Sequence, residues 1–324
     1  MRKSRWEKTV KSFKNAVNVR GYVYDYKRLN VREDRNGKMY VSGELQIATD
    51  EDGFNIVPVE FFAYAVYTDK KTGQEKPTAT FELLNGILAG DKKTYMQVGN
   101  EATRVRIDGS ADVNDWVNRD GELVASNRIR GSFIHELGAG EPLDGGAKFE
   151  MDALITSAVT REVDEGEPYM VVKGYTFNYR NDFLPVTMYV RNPNGINYIE
   201  DQDVSQKNPL LTPLSGEIVT NTTVKRKQVE SAWGDTKEVV STGKPFRTWD
   251  IGWMSMTPYV FGDEEVMTVQ DVKAGLDARE ERIQAQLARR NGAAFAPAAK
   301  PAAKPTAKAA PMNDSFDDDD EIPF

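Results

Sequence analysis

Between residues 16 and 262, apolar and polar side chains alternate in short runs rich in Val, Ile, Thr, Tyr and Phe, and clusters of Gly, Asn and Asp interrupt them. Successive side chains of a strand point to opposite faces. A period of two is therefore what a half-buried strand requires, whereas a helix repeats every three or four residues. A segment of this length with that pattern predicts a mainly β body.

The order of the runs narrows the architecture. Residues 17–31 and 38–48 flank a turn with the hairpin signal Asn36-Gly37, and residues 54–67 give a third strand. Residues 77–90 (PTATFELLNGILAG) read as a short helix, and residues 102–113 and 122–135 as two more strands. Three strands, a helix and two strands is the order of a five-stranded OB-type barrel. A divergent echo follows. Residues 151–163, 169–180 and 183–191 read as strands, residues 196–214 as irregular, and residues 216–231 and 237–254 as the closing pair. The segment MYVSGEL at 39–45 aligns with MVVKGYT at 170–176, sharing Met, Val and Gly at the same offsets, and Trp116 and Trp233 each precede a polar turn and a strand. The expectation is two OB-fold-like five-stranded barrels in tandem, at 1–140 (with a basic N-terminal segment) and 147–262. The alternative is one large β-rich domain with chance similarity. Residues 263–290 follow as a helix, whose apolar Val269, Val272, Leu276, Ile283 and Leu287 recur at helical spacing. That helix is expected to pack on the second barrel or to pair with another subunit, so a homo-oligomer stays open. Trp249 and Trp253 read as core.

Composition removes several classes of function. The 324 residues include no Cys and one His, which excludes disulfides, thiolate metal sites and multi-histidine sites. No glycine-rich loop has phosphate- or dinucleotide-binding spacing, and His135 has no nucleophile-and-acid arrangement around it. The expectation is a protein that is not an enzyme and needs no cofactor or metal. No run approaches the ~20 apolar residues of a membrane span, and the N-terminus lacks an apolar signal core. A cytoplasmic, DNA-associated location is expected.

The net charge of −8 is unevenly distributed: residues 1–38 carry +8, residues 291–312 carry +3 and residues 313–324 carry −6. A nucleic-acid partner needs a local positive surface and not a positive total. Within 17–31 the alternation puts Val17, Val19, Gly21 and Val23 on one face and Arg20, Tyr22, Tyr24, Tyr26 and Arg28 on the other. Ring faces that stack bases, bracketed by cations that neutralise phosphates, are what sequence-tolerant single-strand binding requires. A second stripe comprises Lys173, Tyr175, Phe177 and Tyr179, with Lys225, Arg226 and Lys227 on a nearby strand and Trp116 and Trp233 beside turns. The competing reading for each stripe is ordinary packing or a cross-strand aromatic ladder.

After an Ala/Pro/Lys-rich linker (291–312), too poor in core-forming residues to fold, the chain ends NDSFDDDDEIPF. An Asp run followed by Ile-Pro-Phe resembles the acidic tip of the bacterial single-stranded DNA-binding proteins. The resemblance implies an OB-fold core that holds the strand. It also implies a tip that docks replication, recombination and repair proteins through Asp317, Asp318, Asp319, Asp320, Glu321, Ile322, Pro323 and Phe324. The body is more than twice the family's usual single barrel, which points to a phage- or plasmid-type relative with two barrels in one chain. Two other functions fit the same residues: a strand-annealing or recombination mediator, and a structural or assembly β-protein with a solubilising tail.

Overall fold

The computed structural model describes residues 12–117, 123–138, 140–143, 145–162, 167–221, 224–230, 236–242 and 246–293. The first barrel is built from β1 (Asn15–Glu33), β2 (Met39–Ala48), β3 (Ile56–Tyr64), β6 (Arg104–Val117) and β7 (Leu123–Glu136). A small hairpin, β4 (Val66–Thr68) and β5 (Glu75–Pro77), and helices α1 (Ala79–Ala89) and α2 (Tyr95–Val98) connect β3 to β6. Strand β1 pairs antiparallel with β2, β2 with β3, β6 with β7 and β1 with β6, and a parallel pairing of β3 with β7 closes the ring. That is the OB connectivity anticipated from the order of the runs.

The second barrel repeats it. Strands β8 (Ala147–Arg161), β9 (Tyr169–Phe177) and β10 (Phe183–Val190) precede α3 (Pro193–Asp201). Strands β11 (Leu210–Asn221) and β14 (Phe246–Met254) complete the ring, with the hairpin β12 (Val224–Glu230) and β13 (Thr236–Thr242) between them. Here β10 and β14 form the parallel closure, and β11 pairs with β8 and β14. The stretch 196–214, expected to be irregular, instead holds most of α3 and the start of β11. The helix has a start signal that the turn-forming Pro-Asn-Gly composition hides: Pro193 stands in its first turn and the Asn192 side chain accepts from Asn194 N at 2.9 Å.

One local device appears in both barrels. Strand β1 is irregular between Lys27 and Asn30, with Arg28 at φ 54°, and there its backbone crosses Gly43 so closely that a Cβ would lie 2.4 Å from Arg28 O. Strand β8 is irregular between Ile155 and Ser157, and a Cβ on Gly174 would lie 2.2 Å from Leu154 O. Gly43 and Gly174 are the glycines of the two aligned seven-residue segments. A bulge inserts a residue and bends the strand, and a glycine opposite lets the backbones approach. The repeat in the sequence is thus a repeat of the same barrel corner.

The barrels are not separate beads. Residues Asn15 to Val19 of β1 pair with Met151 to Ala147 of β8, which joins the ten barrel strands into one sheet, and one hydrophobic cluster runs from Val19 and Leu45 to Met188 and Ile218. Polar contacts add to this. Thr220 N donates to Asn55 Oδ1 at 2.7 Å. The Asn127 side chain of β7 stands in for a neighbouring strand at β10, donating to Thr187 O at 2.7 Å and accepting from Thr187 N at 3.1 Å.

Helix α4 (Val269–Ala293) takes the packing role among the two expected for it. Its Gly275 lies against the Phe183 ring, where a Cβ would meet Cε2 at 2.2 Å, and Arg279 reaches across to Asp115 of β6 at 2.6 Å. Beneath it Phe13, Leu154, Phe177, Phe183, Leu211 and Met267 form a second cluster. Buried Asp152 ties this end together, accepting from Lys14 N at 2.7 Å and from the Tyr259 hydroxyl at 2.9 Å. Burial, with the Asp152 bond adding to it, pushes that hydroxyl up to about 12.

Candidate nucleic-acid interface

The tyrosines of β1 do not form the stripe that strict alternation predicts. Irregularities between Val23 and Asp25 and between Lys27 and Asn30 rotate the strand twice, so residues two apart no longer share a face. Tyr22 is buried with Ala48 and Ala102, edge-on to Tyr95 of α2 at 5.9 Å. Tyr24 stacks on the same Tyr95 ring at 5.7 Å, and Tyr26 is exposed opposite the buried Leu45. Arg20 lies on the part of β1 between β6 and β8, with Arg106 as its cross-strand partner, far along the strand from Arg28.

The second stripe is broken as well. Phe177 is fully buried, stacked on Phe13 at 4.4 Å, because the segment preceding β1 and α4 covers that end of the barrel. Tyr175 is partly buried and edge-on to Phe183 at 5.8 Å. Lys173 is exposed, and so is Tyr179, with the Arg180 guanidinium 5.1 Å from its ring centre. Trp116 is exposed near the tip of the β6–β7 hairpin. Trp249 is core, but Trp253 is exposed: the extra residue Gly252 between the pairs Ile251–Gly216 and Trp253–Ser215 turns it to the outer face. The side chains of Lys225, Arg226 and Lys227 and the whole of Trp233 lie outside the described residues, as does the tip from Asp317 to Phe324.

What the fold does bring together was missed by the sequence reading. On the outer face of β2–β3, Tyr40 pairs with Tyr64 and Ser42 with Phe62. The three rings form one cluster, with centres 5.0 Å apart for Tyr40 and Phe62, 5.3 Å for Phe62 and Tyr64 and 6.0 Å for Tyr40 and Tyr64. Phe62 is 46% exposed and Tyr64 38%. The cluster is not needed for the core, since the opposite face supplies Val41, Leu45, Val57 and Val59 to it.

Cations border the rings. Arg32 is the cross-strand partner of Tyr40, Arg28 sits in the bulge over Gly43, and Arg35 and Lys38 stand on the β1–β2 turn. All four are exposed, and among the described residues none is held in an ion pair. The turn is organised by Asp34, whose Oδ1 accepts from Asn36 N at 2.8 Å and Lys38 N at 2.9 Å. The Lys38 N–H bond is the largest cause holding the Asp34 carboxyl below its usual range, while desolvation and then the Asp34 charge raise Tyr64. The other end of the same face is acidic and occupied: Glu60 is paired with Arg128 at 2.7 Å, and the cleft there is lined by Glu44, Arg247 and Trp249 where the second barrel abuts. The exposed cations of this face therefore stand toward the Tyr40–Phe62–Tyr64 end, with Asp34 among them.

A family model described as YorF matches residues 14–248, from just before β1 into β14. The chain belongs to the YorF family. No curated protein matches this YorF-family chain. Among solved structures it is similar to a deletion mutant of the single-stranded DNA-binding protein from Thermus aquaticus, with TM-score 0.47 and 14% identity over 78% of this chain and 99% of that one. The wild-type Thermus aquaticus protein gives TM-score 0.45 and 13% identity over 77% and 96%.

Proposed function

We propose that this YorF-family chain is a cytoplasmic single-stranded DNA-binding protein, not an enzyme, that coats and protects unpaired DNA in replication, recombination and repair. The observation that carries the reading is the open Tyr40–Phe62–Tyr64 cluster on β2–β3, bordered by Arg28, Arg32, Arg35 and Lys38. Every base has a face that stacks on an aromatic ring, and every nucleotide a phosphate that a cation neutralises, so such a surface holds a strand with little regard to sequence. The test is fluorescence anisotropy of labelled oligo-dT over a range of salt. Four phosphate contacts predict a slope of about −3 in log affinity against log salt, from ~0.7 per contact on a single strand. Absence of binding at low salt would end the proposal.

Recruitment of partner proteins is assigned, within the same proposal, to the acidic segment 313–324 with its Ile322-Pro323-Phe324 motif. Its support is the motif's chemistry: an anionic run steers toward a basic surface, and the terminal apolar residues fill a pocket there. Deleting residues 317–324 is expected to leave oligo-dT affinity intact and to remove co-purification of replication and repair proteins. Undiminished co-purification would refute that assignment.

A further inference from the structure

A groove of about 520 Å3 opens directly beside the aromatic cluster, between the β1–β2 turn and the β4–β5 hairpin, lined by Asp34, Asn36, Lys38, Tyr64, Tyr67 and Thr78. That volume lies in the ~300–1,000 Å3 range of sites that enclose small groups. Two of its walls are rings, Tyr64 and the 52% exposed Tyr67. A third is a carboxylate with spare capacity. Asp34 Oδ1 is committed to two backbone N–H groups, but among the described residues the partner of Oδ2 is the Tyr64 hydroxyl at 3.4 Å, well beyond the ~2.5–3.0 Å of a good O–H···O bond.

We propose that this groove takes one base of the bound strand and prefers a base carrying an exocyclic amine over thymine. The inference rests on the strand-binding reading above and adds a base preference to it. An ionised carboxylate only accepts. The N4 amine of cytosine donates to such an oxygen, whereas thymine presents O4 at the same edge and places two acceptors in opposition. Backbone N–H groups of the turn keep Asp34 ionised, so the acceptor is present at neutral pH. The rings supply stacking that does not choose among bases, and Asp34 supplies the choice.

The experiment compares oligo-dC with oligo-dT of equal length in slightly alkaline buffer, which keeps cytosine unprotonated. Oligo-dC is expected to bind about tenfold more tightly, the discrimination one well-paired base edge gives. Asp34→Asn keeps a carbonyl oxygen for the two turn N–H groups but turns an amide donor to the groove, so the preference should vanish or invert. A second arm leaves the protein untouched: oligo-dC dimethylated at N4 has lost both donors and should lose the advantage. Equal affinities for oligo-dC and oligo-dT, with binding still dependent on Tyr40, Phe62 and Tyr64, would overturn the base preference and leave strand binding standing. Failure to bind either oligonucleotide would remove the reading on which it rests.

Discussion

Replacing Tyr40, Phe62 and Tyr64 together with alanine is expected to weaken oligo-dT binding at least a hundredfold while leaving the fold intact. Each stacked base is worth ~1–3 kcal/mol by alanine substitution, so three platforms give about 3 kcal/mol at the lower bound, or roughly two orders of magnitude in affinity. The rings touch one another, so the single substitutions should not add up to the triple effect. Phe62 and Tyr64 are exposed and Tyr40 is half-buried on the outer face, so truncation opens no enclosed cavity and stability by urea denaturation should stay within about 1 kcal/mol of wild type. Tyr22→Ala serves as the contrasting control. That ring is buried against Ala48, Ala102 and Tyr95, and its loss should reduce stability before it alters affinity. Affinity of the triple variant within threefold of wild type would mean that the strand lies elsewhere.

The fold was more legible than the site, and one kind of event explains both. Alternation, the Asn36-Gly37 turn and the repeated Met-x-Val-x-Gly segment are local signals, and they identify strands, a hairpin and a duplication without knowledge of what pairs with what. Facing is different, because it survives only as long as the strand is regular. Two irregularities in β1 separate Tyr22, Tyr24 and Tyr26, and one in β14 turns Trp253 outward although Trp249, four residues earlier, is core. Rings beside arginines were expected on β1, whereas the open ring cluster lies on β2 and β3. Tyr40-x-Ser42 and Phe62-x-Tyr64 carried the signal, but their convergence depends on the β2–β3 register, which sets Tyr40 opposite Tyr64. A register is a long-range property that no short window contains. Helix α3 was missed for a simpler reason: Pro193, Asn194 and Gly195 read as a turn, and only the Asn192 cap shows that the turn begins a helix.

Gly43→Ala and Gly174→Ala are expected to be among the most damaging single substitutions in the body. In both the new Cβ would press on main-chain atoms of the bulged strand, Arg28 O at 2.4 Å and Leu154 O at 2.2 Å, and a backbone cannot rotate away as a side chain does. Overpacking of this sort costs ~1–3 kcal/mol or more. Gly43 also sits at φ 145°, where a side chain adds strain of ~1–3 kcal/mol, so its substitution should be the worse of the two. Gly252→Ala is the control: a Cβ there meets open space, and stability should change by less than about 0.5 kcal/mol. Urea denaturation followed by far-UV circular dichroism reads all three. The pattern of transitions carries further information. Because β1 pairs with β8 and the core cluster spans both rings, damage at Gly174 in the second barrel should lower the same single transition that damage at Gly43 lowers in the first. If Gly174→Ala instead split the curve and left one half at the wild-type midpoint, the barrels would be independent folding units, and the β1–β8 pairing would be a contact between them and not a shared foundation.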